Sequence, residues 1–256
     1  MAVIVDYPTV LFISLLVLLV AAMAIGAFIL RHRAPLPEEE RDDFSVVQTS
    51  TLTLLALLIG FSLSMAVNRY DQRKSLEESE ANAIGTQYAR ADLTDAPISA
   101  QMKAALVRYT QLRLADYYTR NPDELTRIGR ETAQVQAELW RLATQVAKDK
   151  PTPIAALVTS GMNDVLNSQD YSEAARINRI PIGAWVLMIV IALLGCTVQG
   201  YGAKGRLRRG LFVLPVTVSL SLALIADIDS PRGGIIHIQP QNLARLLQSL
   251  GHPTGT

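Results

Sequence analysis

Residues Phe44 to Leu93 read FSVVQTSTLTLLALLIGFSLSMAVNRYDQRKSLEESEANAIGTQYARADL, and this stretch decides the fold that the sequence predicts. Its first half, as far as Asn68, contains no charged side chain and is long enough for a membrane span of about 20 residues. Its second half is polar, but it contains no proline and only one glycine, Gly85, so it still favours a helix. The pattern therefore predicts one continuous helix that begins among lipid tails and continues into water.

The whole chain has the composition of an integral membrane protein. Hydrophobic residues make up 50 % of its 256 positions, and they are concentrated in four uncharged runs. These runs predict four transmembrane helices, at about residues 9–30, 46–68, 182–202 and 210–226. The last run contains Pro215, which a membrane helix tolerates because neighbouring groups satisfy the freed backbone carbonyl.

The first run could also be interpreted as a cleaved signal peptide. A signal peptide carries its positive charge before a shorter apolar core. No Lys or Arg precedes Arg31, and the basic residues Arg31-His32-Arg33 follow the run instead. The order of charge and apolar sequence favours a retained span.

Residues 69–179 carry apolar side chains at helical spacing, and Asn121-Pro122 within them is typical of a helix start. The predicted fold is therefore an all-α integral membrane protein: four transmembrane helices with an extramembrane helical bundle inserted between spans two and three. The predicted domains are a transmembrane hairpin (1–68), the bundle (69–179), a second transmembrane hairpin (180–229) and a C-terminal tail with a short helix (230–256).

Several classes of function are disfavoured by composition. The net charge is only +1 and no dense basic patch occurs, which disfavours binding to nucleic acid. The histidines, His32, His237 and His252, lack metal-ligand spacing, and the single cysteine, Cys196, cannot form an intramolecular disulfide. No nucleophile–base pair is recognisable, so we expect neither an enzyme nor a cofactor or metal site.

One face of span two carries small and polar side chains. At 100° per residue they fall within a strip about 80° wide, and they are Thr49, Thr53, Ala56, Gly60, Ser64 and Asp71. Such a strip has two interpretations. Small residues let neighbouring helices approach closely, with hydroxyl groups bonding across the contact. Alternatively, the strip lines a water-filled pore, where hydrophilic groups are tolerated at membrane depth.

Two aspartates, Asp227 and Asp229, follow span four within three residues of its end. One interpretation is a ring of carboxylates that attracts cations in an oligomer. The other is a helix end at which the aspartates are paired with arginines such as Arg232 or Arg69.

Three sequence blocks carry a family resemblance, namely GFSLSMAVNRYD (60–71), EANAIGT (80–86) and DIDSPRGG (227–234). With them the chain resembles the bestrophin-like family of bacterial membrane proteins and, more distantly, the bestrophin channels. Bestrophins have four spans per subunit and form pentameric pores that conduct anions or cations and are lined by the second span. The resemblance therefore implies a homo-oligomeric ion channel in a lipid bilayer, with inorganic ions as its ligands.

On this basis the candidate site residues form two groups. The pore-lining candidates are Thr49, Thr53, Gly60, Phe61 and Ser64. The pore-mouth candidates are Asn68, Arg69, Tyr70, Asp71, Asp227, Asp229 and Arg232. The alternative function is a membrane sensor or scaffold whose helical bundle binds a partner protein.

The expected location is the bacterial inner (cytoplasmic) membrane, with several spans. The two short loops are rich in Arg and Lys, and short basic loops remain in the cytoplasm, which would place the bundle outside. Bestrophins keep their helical domain in the cytosol, so the family analogy places the bundle inside. The sequence leaves both orientations open.

Overall fold

The computed structural model describes residues 7–34, 36–203 and 209–251, apart from the side chain of Arg209. The regular elements in these ranges are helices. The helices longer than one turn are α1 Pro8–Ala24, α2 Arg41–Arg90, α3 Ala96–Tyr118, α4 Pro122–Asp149, α5 Pro153–Ile177, α6 Ile182–Gly202, α7 Val213–Asp229 and α8 Gln241–Gly251. A π-helical segment, Ile25–Leu30, and one α-helical turn, Arg31–Arg33, continue α1, and short 3₁₀ turns occupy Ala91–Leu93 and Arg209–Phe212.

Four helical stretches are long and apolar enough to cross a bilayer: Pro8–Arg33, Arg41–Leu93, Pro153–Gly202 and Gly210–Asp229. They include the four predicted spans. The prediction of an all-helical membrane protein with four transmembrane helices is therefore confirmed.

Helix α2 runs without interruption for 50 residues, from Arg41 to Arg90. Two acidic residues, Asp42 and Asp43, lie in its first turn, where negative charge is favourable to the helix dipole. The helix tightens into the 3₁₀ turn Ala91–Leu93 and ends there. The continuity predicted from the absence of proline is thus present in the structure.

The chain divides into two compact units. The first unit contains the residues up to Tyr70 together with Arg179–His237, and the second contains Asp71–Asn178 and the residues from Ile238 onward. Helix α2 therefore contributes residues to both. The predicted C-terminal tail is also divided, because residues 230–237 belong to the first unit while α8 belongs to the second.

In the first unit, α1 and α6 meet backbone to backbone. A Cβ atom added at Gly200 would lie 1.9 Å from the carbonyl oxygen of Met23, and one added at Gly26 would lie 2.0 Å from that of Thr197. Such close approach through glycine is typical of membrane helices, whose association is not driven by exclusion of water. Around the contact lies an apolar core, which includes Leu15, Leu19, Met23, Leu55, Met188, Ala192, Leu222 and Ile225.

The π-helical segment brings Arg31 against the end of α6. Its Nη1 donates to the carbonyl oxygen of Tyr201 at 3.2 Å, and its guanidinium lies 5.5 Å from the centre of the Tyr201 ring. The Tyr201 hydroxyl in turn donates to the carbonyl oxygen of Ala34 at 2.7 Å. These contacts tie the end of the first span to the end of the third.

In the second unit, the polar half of α2 shares an apolar core with α3, α4, α5 and α8. Helix α4 starts at Asn121-Pro122 as predicted, and the Asn121 side chain caps it by accepting from the backbone N–H of Asp123 at 3.0 Å. The core of this unit is apolar, and it includes Ile84, Leu106, Tyr109, Leu139, Met162 and Leu243.

An ion pair is buried inside this core. Arg113 Nε donates to Glu80 Oε1 at 2.5 Å, and the two residues are 2 % and 0 % exposed. Ser172 donates a further hydrogen bond to Glu80 at 3.3 Å, and Arg176 pairs with Asp116 beside it. Burial raises the pKa of the neighbouring Tyr117 to about 12, with the Glu80 charge adding to the effect. The charges thus compensate one another in a site from which water is excluded.

Replacing Gly200 by alanine should loosen the first unit. The new methyl group would collide with the Met23 carbonyl, and overpacking of this kind costs about 1–3 kcal/mol. We expect a lower midpoint in thermal unfolding of the detergent-solubilised protein. Gly183→Ala on the same helix is the matched control, because a Cβ there would meet nothing within 4 Å. Equal stability of the two variants would contradict the close contact.

Removing one partner of the buried ion pair should be far more damaging than removing both. Arg113→Met leaves the Glu80 carboxylate uncompensated, and breaking a buried pair costs about 3–5 kcal/mol. The double variant Glu80→Met/Arg113→Met should recover much of that loss in denaturant titration. If the double variant is less stable than Arg113→Met alone, the pair is not the source of the effect.

Candidate functional site

The polar strip of α2 is not covered by other helices of the same chain. Thr49, Thr53, Gly60 and Ser64 are exposed, whereas the buried residues of this half of α2 lie on roughly the opposite face. The buried residues are Leu55, Ser62 and Ala66. The strip is therefore available to water, lipid or a second copy of the chain.

Among the four apolar helical stretches, the one containing α2 is the least covered. Within the apolar segment of this stretch, only 17 % of the residues are buried, compared with 33 % to 44 % in the other three stretches. A membrane helix that contributes so little to its own subunit's core has most of its surface available for another role.

The strip offers neutral oxygen atoms. The Thr53 hydroxyl donates to the carbonyl oxygen of Thr49 at 2.8 Å, which uses its hydrogen within the helix and leaves its lone pairs facing outward. Gly60 adds no side chain, and nothing lies within 4 Å of a Cβ built there. Such a surface can be wetted without a fixed charge at membrane depth.

Large apolar side chains border the strip on one side. Phe61 follows Gly60, about 100° further around the helix, and is 63 % exposed. Leu54 and Leu57 are also exposed on this side. Phe61 thus lies on a face adjacent to the other pore-lining candidates rather than in line with them.

The pore-mouth candidates on α2 divide by exposure. Asn68 and Asp71 are exposed, while Arg69 and Tyr70 are partly buried. Asp71 continues the angular position of the strip, and its carboxylate brings the first negative charge to that face beyond the apolar run.

Asp227 organises the turn that follows α7. It is 6 % exposed, and its carboxylate accepts from the backbone N–H groups of Ile235 at 2.7 Å and Ile236 at 2.9 Å. Gly234 has a φ of 75°, and a Cβ atom there would lie 1.6 Å from Asp227 Oδ1. Only glycine can occupy this position while the backbone wraps around the carboxylate.

Asp229 holds the chain just before α6. It is 1 % exposed, and its two carboxylate oxygens accept from the backbone N–H of Ile180 at 3.3 and 3.2 Å. Arg232 is partly buried. The contacts of both aspartates support the helix-end interpretation, with backbone N–H groups among their partners, rather than a ring of solvated charge.

Sequence reasoning missed a row of buried polar side chains on α2. Glu77 caps α8, because its carboxylate accepts from the backbone N–H groups of Asn242 at 3.0 Å and Leu243 at 2.9 Å. Gln87 donates to the carbonyl oxygen of Val158 on α5 at 3.0 Å. With Glu80, these residues bind α2 to each of three neighbouring helices. The separations of 3 and 7 residues between Glu77, Glu80 and Gln87 place these side chains on one face of the helix, and this periodicity was the signal available in the sequence.

The described part of the chain contains no group of three His, Cys, Asp or Glu side chains placed to hold a metal ion. The candidate surface of α2 offers hydroxyl oxygens, a glycine and, at Asp71, one carboxylate.

Comparison with solved structures establishes the fold. A point mutant of a bacterial bestrophin homologue from Klebsiella pneumoniae matches with a TM-score of 0.67 and 15 % identity, over 93 % of this chain and 97 % of that one. Another structure of a bestrophin homologue from the same organism, solved by zinc phasing, gives a TM-score of 0.65 and 15 % identity, with coverages of 95 % and 98 %.

Sequence comparison identifies the family. A search of curated proteins found no match. The model of the bestrophin-like domain, in contrast, matches residues 16–243, which is most of the chain. The chain therefore belongs to the bestrophin-like family.

Proposed function

We propose that the protein is a homo-oligomeric ion channel, with a pentamer as the expected assembly, and that α2 of each subunit lines the pore. The observation that carries the proposal is the exposure of Thr49, Thr53, Gly60 and Ser64 on the least covered span. The resemblance to bestrophins supplies the arrangement, since their pores are lined by the second span.

The chemistry of the strip suits conduction rather than tight binding. Hydroxyl oxygens can replace part of the hydration shell of an ion, and without fixed charge they bind it weakly enough for release. Phe61 and the neighbouring leucines supply an apolar border, and apolar constrictions can close a pore by excluding water.

Asp71 would act at the mouth of the pore. In an oligomer its exposed carboxylates would form a ring that raises the local concentration of cations. Asn68 would add uncharged amide groups nearby. The buried carboxylates of Asp227 and Asp229 would contribute indirectly, by holding the ends of α7 and α6 in place.

The protein would lie in the bacterial inner membrane, with the second unit outside the lipid. The charge of the short loops favours an external bundle, and the bestrophin analogy favours a cytosolic one. A cysteine introduced at Ser79, which is exposed on the polar half of α2, would distinguish the two orientations of the bundle in a Cys196→Ala background. Labelling of intact spheroplasts by a membrane-impermeant thiol reagent would place the bundle outside.

A sensor or scaffold is the second candidate. The second unit exposes large side chains that a partner protein could cover, including Tyr118, Trp140 and Tyr171. The mass of the detergent-solubilised particle separates the two functions, because a channel requires a ring of identical subunits whereas a scaffold would purify as one copy with another protein.

Cysteine substitutions on the strip should make the current sensitive to thiol reagents. In a Cys196→Ala background, modification of Thr53→Cys or Ser64→Cys by a positively charged methanethiosulfonate should block most of the bilayer current, because the adduct would lie in the ion path. Val17→Cys is the control, since Val17 is also exposed but lies on α1. Strip variants that are modified without loss of current would argue against a pore at this surface.

Neutralising Asp71 should lower cation conductance most at low salt. Asp71→Asn removes a carboxylate whose attraction is felt over about 30 Å at 0.01 M salt but only about 3 Å at 1 M. Single-channel conductance should therefore fall in dilute salt and approach the unsubstituted value in concentrated salt. Asp164→Asn, a change at an exposed aspartate on α5, should have no effect. A salt-independent loss would point to a structural role instead.

A further inference from the structure

A cleft of about 410 Å³ lies between the polar half of α2 and the C-terminal helix α8. Its lining includes Asn82, Gly85 and Thr86 from α2 and Asn242, Arg245 and Leu246 from α8. The cleft is largely open to solvent, and its volume falls within the range of sites for small molecules, about 300–1,000 Å³. It is much larger than a single inorganic ion requires.

The α2 side of the cleft is a compact segment, residues 81–86. Gly85 lies where α2 and α8 come close, because a Cβ atom there would lie 3.1 Å from Leu246 Cδ1, tighter than an ordinary contact. The absence of a side chain at this position lets α8 approach while leaving room beside Asn82 and Thr86.

Three polar side chains in the cleft lack partners among the described residues. Asn82, Thr86 and Arg245 are exposed and have no hydrogen bond or ion pair there. Several hydroxyl groups elsewhere in this bundle bond the carbonyl of the preceding turn, as Thr110 does with Leu106 at 2.8 Å. The Thr86 hydroxyl, in contrast, remains available to a molecule in the cleft.

The charge of the cleft favours one negative group. Arg245 is the only cation among the described lining residues, and neither they nor α8 include an acidic residue. The Glu77 carboxylate lies next to the lining but is buried and accepts from the backbone and side chain of Asn242. The N-terminus of α8 is already occupied, because Glu77 accepts from the N–H groups of Asn242 and Leu243. A ligand must therefore be held by side chains rather than by helix-end N–H groups.

From these observations we propose that the cleft between α2 and α8 binds a small organic monocarboxylate that also carries a hydroxyl group. The guanidinium of Arg245 would take the carboxylate in a two-bond contact. Thr86 and Asn82 would bond the hydroxyl group, and Ala81 and Leu246 would cover the carbon skeleton. A phosphate, with a charge of about −1.5 to −2, would find one cation and no free helix N-terminus.

The ligand would also stabilise the docking of α8. It contacts both helices, so it binds only when α8 lies against α2, and a ligand that binds one state alone shifts the equilibrium toward that state. The cleft would thus couple a metabolite to the position of the C-terminal helix. This inference does not depend on conduction.

The test uses the full chain in detergent with sodium lactate, 4-hydroxybutyrate or 4-hydroxybenzoate as probes. Lactamide serves as the uncharged analogue of lactate, and inorganic phosphate serves as the competing anion. We expect at least one carboxylate to raise the unfolding temperature in a saturable manner and to slow hydrogen exchange across residues 241–251. Lactamide and phosphate should do neither at the same concentrations.

The variants assign the effect to the cleft. Arg245→Gln should raise the dissociation constant of the effective carboxylate at least about tenfold, and Thr86→Val should raise it several-fold. Arg141→Gln, at an exposed arginine of α4 outside the cleft, should leave the constant unchanged. The inference is overturned if no probe protects α8, if phosphate or lactamide protects as well as the carboxylate, or if Arg245→Gln binds it normally.

Discussion

The buried pair between Glu80 and Arg113 constrains the rotation of α2 about its own axis within the second unit, because Arg113 Nε donates to Glu80 Oε1 at 2.5 Å where neither side chain can reach water. Buried residues of both halves of the helix, such as Ala66 and Ile84, fall on one stripe at 100° per residue. Because α2 is uninterrupted, its hydroxyl-bearing strip is necessarily directed away from this stripe. One helix therefore carries both the polar anchoring of the bundle and the surface on which the channel proposal rests.

The two units fix their helices by different physical means. Lipid provides no hydrophobic force between apolar helices, so α1 and α6 depend on direct backbone contact at Gly26 and Gly200. In the bundle, apolar burial alone would tolerate several rotations of α2, and buried polar groups with unique partners remove that freedom. Glu77 and Glu80 serve this role because each meets its donors in one orientation only.

The elements that depend on local sequence were predictable. Uncharged runs located the spans, and the lack of proline predicted the length of α2, because both signals act over neighbouring residues. The buried carboxylates were not predictable, since the partners of Glu80 and Glu77, Arg113 and Asn242, are distant in sequence. The polar strip of α2 was predictable from its helical periodicity, but periodicity does not show whether other helices cover that face. The exposure of the strip depends on how the other helices pack, which the local sequence does not determine.

The π-helical segment Ile25–Leu30 accommodates one residue more than an α-helix of the same rise would hold. The residues that follow it in the same helical stretch are therefore rotated by about 100° around the helix axis relative to a regular continuation of α1. Without that extra residue, Arg31 would point away from Tyr201 and lose both the carbonyl and the ring that it contacts. A single inserted residue thus accounts for the direction of the first charged side chain after the span.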